Sequence, residues 1–214
     1  MTRVYVEVGK RHVFASAADW PGWSRSGKDE KSALEALAAA APRYAHAAKA
    51  ARIPFAPGST FDIVERLPGD ATTEFGAPGA IAKAESKRLT KKEAGRLSAL
   101  VAASWTVLDG VVEKAPSALR KGPRGGGRDR DKIVEHVLGA ETMYARKLGL
   151  RLQQPPAGES TAVREFRNAI VAGLRAGTKG VTERGWPARY AARRMAWHVL
   201  DHAWEIEDRS TQQL

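Results

Sequence analysis

Residues 193–209 read RRMAWHVLDHAWEIEDR, from Arg193 to Arg209, with no proline or glycine to interrupt them. Met195, Val199, Ala203 and Ile206 follow one another at steps of four, four and three, the spacing that lines up one face of an α-helix. Tyr190 extends the stripe upstream, so a helix is predicted from about Ala188 to Arg209. A four-residue step leaves His198 and His202 about 40° apart around that helix, one turn above the other. A single metal ion can bridge such a pair, and so can ordinary packing.

Working backwards, the same periodicity recurs three times. Ser160 to Leu174 carries Val163, Phe166, Ile170 and Leu174 at helical spacing. Asp129 and Asp131 suit the positive end of a helix bearing Ile133, Val137, Ala140, Tyr144 and Leu148, which Gly149 should stop. Thr90 and Glu93 form a capping-box pattern ahead of Leu97, Leu100, Val101, Ser104, Trp105, Leu108 and Val111, and Pro116 closes that helix. Four amphipathic helices of this length can bury one another's stripes in a bundle. The connection GPRGGGR, Gly122 to Arg128, reads as a solvated loop whose basic residues could also touch phosphate. A second loose connection runs through Gly173, Gly177, Gly180 and Gly185-Trp186-Pro187.

Before Gly79 the period changes. In Arg3 to Gly9, Val4, Val6 and Val8 alternate with Tyr5 and Glu7, the pattern of a half-buried strand. Val13 to Ala17 returns as a hairpin partner, a short strand follows around Ser24 to Ser26, and Phe61 to Leu67 reads as a fourth. Between the last two, Ala33, Leu34, Leu37, Ala38 and Ala41 form a helical stripe that Pro42 should kink or end. Trp20 and Trp23 flank Pro21-Gly22, either as an aromatic lip for a ligand or as an apolar plug under the turn. The expected fold class is α+β: a small βββαβ domain over residues 1–70, a linker over 71–88 and an all-α bundle over 89–214.

Composition limits the chemistry. The 214 residues include no Cys, which removes disulfides, iron–sulfur clusters and thiol nucleophiles, so any metal must be held by His and carboxylates. The formal net charge of +11 is concentrated in the second half, with 25 basic against 15 acidic residues over 81–214 and 10 against 9 before it. A nucleic-acid partner would suit that excess, but arginine is dispersed through helices and no recognition motif is present, which disfavours one. The N-terminus lacks the order of a signal peptide and no apolar run spans a membrane, so a cytoplasmic protein without a membrane partner is expected. Bundle faces leave homodimerisation open.

The second half holds only three histidines, His136, His198 and His202. His136 lies beside the apolar stripe of its helix, three residues after Ile133, and can point inward. Three inward imidazoles would have to be desolvated together, and one divalent cation satisfies them together. His12 and His46 are isolated and read as solvent-facing or packing residues. Glu205, seven residues after His198, shares its face and is the candidate second-layer carboxylate or general base; Arg209, four further on, could instead take it in an ion pair. Arg194, one turn before His198, could hold an anionic group beside the metal or sit in a salt bridge. Trp197 and Trp204 flank the ligand face and could pack between helices or wall a small-molecule pocket. Val199 follows His198, so the H-E-x-x-H pattern is absent and a peptidase is disfavoured.

Two resemblances add to this reading. RDKIVEHVLGAE (Arg130 to Glu141) and RRMAWHVLDHAWEIEDR resemble the first-histidine helix and the H-x-x-x-H helix of DinB-like metal-binding bundles, over about residues 89–210. That resemblance implies an up-down-down-up four-helix bundle with Zn²⁺, Ni²⁺ or a similar ion on His136, His198 and His202. It also implies a metal-dependent transferase, isomerase or hydrolase acting on a small molecule, with a low-molecular-weight thiol as cosubstrate. ADWPGWSRSG (Ala18 to Gly27) and the Ala/Leu helix after it resemble the HicB-like antitoxin domain over roughly residues 3–67. HicB-like domains occur in regulators and as stand-alone appendages, so the alternative expectation is a nonenzymatic regulatory or nucleic-acid-binding protein with a structural or vestigial metal site.

Overall fold

The computed structural model describes residues 1–122, 126–176 and 185–210. The middle of the Gly122–Arg128 connection, and Gly177 and Gly180, lie outside the described residues. The chain is α+β: a four-stranded mixed sheet comes first, and the long helices follow.

Strands β1 (Thr2–Val8), β2 (Val13–Ala17), β3 (Ser24–Gly27) and β4 (Phe61–Pro68) lie in the order β3-β2-β1-β4. β1 pairs antiparallel with β2 and parallel with β4. A parallel return needs a long crossover, and here it contains two helices, α1 (Glu30–Ala39) and α2 (Ala41–Ala50), rather than one. Pro42 therefore does not simply end a helix. It occupies the first turn of α2, where its missing N–H would have had no partner anyway. The helix it opens supplies Tyr44, which is fully buried, stacks on Trp23 at 5.7 Å and donates its hydroxyl to the Pro21 carbonyl at 2.9 Å. Trp23 in turn donates its indole N–H to the Leu37 carbonyl at 2.8 Å. Trp23 is thus an internal plug, while Trp20 is half-buried edge-on against Phe55.

The alternation in β1 holds only in part. Val4 and Val6 are fully buried, but Val8 at the strand end is 45% exposed. Tyr5 and Glu7, expected on a wetter face, are also buried. The cause is the segment after β4, which is no inert linker: it forms α3 (Ala71–Phe75) and a 3₁₀ turn (Lys83–Ser86) and covers that face. Tyr5 packs against Leu67 and Ala82, and Glu7 accepts from the Thr73 hydroxyl and from the Gly79 and Ala80 amides, the latter two at 3.0 Å.

Four long helices follow: α4 (Lys91–Lys114), α5 (Arg130–Lys147), α6 (Ser160–Ala176) and α7 (Ala188–Ser210). The Thr90–Glu93 box caps α4 as the sequence predicts, with the Glu93 amide donating to Thr90 at 3.2 Å and the Thr90 amide to Glu93 at 2.8 Å. Val101, Leu108, Ile133, Val137, Ile170, Leu174, Met195, Val199 and Ile206 meet in one apolar core. α7 packs on α4 and α5, and α6 packs on α4. Among the described residues, α4 alone is long and apolar enough to cross a membrane by length and composition. Its Leu97, Val101, Trp105 and Leu108 are committed to this core.

α7 also belongs to the first half. Leu200 and Trp204 join Val4, Trp23, Leu37 and Tyr44 in the core beneath the sheet. Arg25 lies over the Trp204 ring at 4.0 Å and pairs with Asp201 at 2.8 Å. Gly22, at φ +93°, lets the Pro-Gly turn approach the helix: a Cβ there would stand 2.8 Å from Leu200 and 3.1 Å from Ala196. Further up α7, Arg193 and Glu85 form an ion pair at 2.6 Å, each side chain only 4% exposed.

Candidate metal centre

The three histidines of the second half meet. The rings of His198 and His202, one turn apart in the middle of α7, have centroids 4.6 Å apart, and His136 on α5 lies 5.2 Å from the first and 4.9 Å from the second. One nitrogen from each lies within 4.8 Å of the others. Nitrogens around a tetrahedral zinc at ordinary bond lengths are about 3.3 Å apart, so modest ring rotations would close the set.

Backbone contacts hold the two helices in this register. The loop before α5 is tied to the end of α7: the Arg120 amide donates to the Arg209 carbonyl at 3.1 Å, and the Arg209 guanidinium donates to the Arg120 carbonyl at 2.8 Å. The Asp129 carboxylate caps no amide of its own helix. It takes the Leu119 amide at 3.1 Å and Lys121 at 2.6 Å, which fixes the start of α5 two turns before His136.

The electrostatics disfavour the charged form of His198 and of His136. Burial, followed by the neighbouring His202 and His136 and then by Arg194 and Arg128, holds His198 well below the usual histidine range. His136 is lowered by burial first and then by His202 and Arg128, against a smaller opposing effect of Glu205. Neutral imidazole is the form that ligates a metal. His198 Nδ1 is sealed from water and has no hydrogen-bond partner. A donor set of three imidazoles, one with a buried, unpartnered ring nitrogen, fits a borderline divalent ion such as zinc.

Glu205 accepts from His202 Nδ1 at 2.8 Å through one oxygen and from Arg209 at 2.6 Å through the other. Glu205 thus contacts a histidine of the cluster and the Arg209 guanidinium at once. Its bond to Nδ1 leaves Nε2 of His202 as the free ligand atom, and these contacts lower the Glu205 carboxyl, that from His202 foremost. Arg194 is not in a salt bridge among the described residues. Its guanidinium lies 4.7 Å from the Trp197 ring and 5.8 Å from Tyr144, and its NH1 nitrogen is buried without a partner. Trp197 is buried edge-on against Phe14 at 6.1 Å and beside Ala77, so it packs the sheet onto α7, and its ring also lies 6.2 Å from that of His198. Asp201 also turns to the sheet, through Arg25. His12 is half-buried and His46 exposed, both apart from the cluster.

Two site residues escape the sequence reading. Tyr144, taken as core, meets the His198 ring edge-on at 5.7 Å. Burial raises its hydroxyl pKa and Arg194 opposes the rise. Nothing in an apolar stripe distinguishes such a tyrosine. Arg128, read as one basic residue of a loop, shares with His136 a cleft of about 620 Å³ that Lys132, Glu135 and Gln154 also line.

The fold and site together define an α+β protein in which α5 and α7 bring three histidines close enough to hold a metal ion. Comparison with protein-family models, curated proteins and solved structures gives no match to any.

Proposed function

We propose that this chain is a metal-dependent protein of the DinB-like type, its helices forming an up-down-down-up bundle that holds Zn²⁺ or Ni²⁺ on His136, His198 and His202. The observation that carries the reading is the convergence of three imidazole nitrogens within 4.8 Å from two separate helices. Three neutral ligands leave coordination positions open, which is the mark of a catalytic rather than a purely structural site. When bound, such an ion polarises a carbonyl or acidifies water or a thiol. The reaction is then transfer, isomerisation or hydrolysis on a small molecule, with a low-molecular-weight thiol as cosubstrate.

The chain's own residues have separate parts in this. Glu205 acts as a positioning residue: with both oxygens engaged, it fixes the tautomer and the orientation of His202. Tyr144 walls the site next to His198 and excludes water there. Metal analysis of the purified full chain and of His136→Ala, His198→Ala and His202→Ala tests the proposal. The parent should carry near-stoichiometric metal and each variant should lose it; equal metal in all four would refute it. For the cosubstrate, glutathione should shift the visible spectrum of the cobalt-loaded protein.

A further inference from the structure

Counting charges around the three histidines exposes an imbalance. Each carboxylate near them is already engaged: Glu205 with Arg209 at 2.6 Å, Glu135 with Lys132 at 2.7 Å, and Asp129 with Lys121 at 2.6 Å. Two guanidiniums have no acidic partner among the described residues. Arg128 stands in the cleft that His136 fronts. Arg194 is 8% exposed, one turn before His198, with NH1 both shut off from water and unbonded. Burying a guanidinium without a counter-charge is costly, and its position over the Trp197 and Tyr144 rings offsets only part of that cost.

No carboxylate ligates within the cluster, so a divalent ion would arrive with its full charge and add to the same imbalance. The missing element is an anion placed between the open coordination positions and Arg194. Planar, forked guanidinium matches a carboxylate better than it matches a neutral oxygen. The Tyr144 hydroxyl, hydrogen-bonded by the same guanidinium, adds a polar group on that wall.

We infer that the small molecule handled at this site carries a carboxylate, received by Arg194 beside His198 and drawn in by Arg128 at the mouth. The inference rests on the proposed metal centre and names the substrate class for it. Arg194 is thereby a binding residue rather than a support for the helix.

The test uses the full chain, metal-free and cobalt-loaded, titrated by calorimetry with benzoate and with its neutral isostere benzamide. Benzoate should bind the loaded protein at least tenfold more tightly than benzamide, and more weakly as salt rises. Arg194→Gln should lose at least tenfold in benzoate affinity with cobalt affinity kept within about threefold, and Arg194→Lys should recover part of the loss. Equal binding of the two probes, or indifference of benzoate to Arg194→Gln, overturns the inference while leaving the metal centre standing. A parent that takes up no cobalt refutes the metal centre instead; benzoate preference on the metal-free chain then decides the role of Arg194 alone. Should Arg194→Gln fail to fold, the exposed Arg128→Gln decides: benzoate affinity lowered about threefold supports the inference, and unchanged affinity defeats it.

Discussion

At the scale of single residues, Glu205 and Glu141 show how one carboxylate can be kept ionised and another neutral within two adjoining helices. Glu205 is charged and doubly bonded, and its link to His202 is the kind of outer contact whose loss weakens metal affinity by about 10- to 100-fold. Glu205→Ala should therefore lower cobalt affinity by that factor in a competition titration, while secondary structure in the far-ultraviolet circular dichroism stays unchanged. Glu141 is fully buried, accepts from the Trp105 indole, and has its other oxygen unpartnered. Burial pushes its carboxyl up to about 7 despite the opposing influence of Arg167. The folded state thus retains a proton that the unfolded chain has released. Stability is complete below the ordinary carboxylate range and falls as pH rises toward and past 7, by something on the order of 3 kcal/mol in total. Glu141→Gln should match the parent in melting temperature near pH 5 and exceed it by several degrees near pH 8; parallel melting curves across that range would contradict the assignment. The three-histidine cluster is legible in the sequence because helical periodicity places His198 and His202 on one face and His136 beside a stripe. Glu141 was not, since a glutamate on a helix reads as solvated until its neighbours are known.

At the scale of elements, the four long helices and four strands follow from period and punctuation, and their ends agree closely with the caps at Thr90 and the stop at Gly149. What periodicity misses is what depends on coverage by a distant segment. The polar face of β1 is dry because residues 71–88 fold over it, and α2 exists because Pro42 can begin a helix as well as end one. Trp197 carries the same lesson: its position on α7 places it beside the histidines, but its packing against Phe14 of β2 depends on the distant sheet. The contact of the Pro-Gly turn with α7 is equally a product of tertiary approach. Gly22→Ala should destabilise the protein by about 2 kcal/mol or more in urea, through the strained φ and the collision with Leu200. Because Ala196 and Leu200 flank His198, the same variant should also weaken cobalt binding.

At the scale of the whole molecule, the two halves expected from composition are joined by buried contacts rather than by a tether. The Glu85–Arg193 pair is sealed at both ends, so Glu85→Gln, which strands a buried guanidinium, should cost about 3–5 kcal/mol. A fragment of residues 89–214 would leave Leu200 and Trp204 without their cover. It should bind 8-anilinonaphthalene-1-sulfonate strongly where the full chain does not. The chain's excess of positive charge, legible from composition, gave no hint that arginine would serve so much in joining the halves, as Arg25, Arg43 and Arg193 do.

The double membership of α7 has a consequence for biosynthesis. That helix emerges from the ribosome more than a hundred residues after β4, yet the sheet's interior remains incomplete without Leu200 and Trp204. The early half must wait, partly unsheltered, until the late helix arrives, so nascent chains paused before residue 188 should be unusually good clients for chaperones.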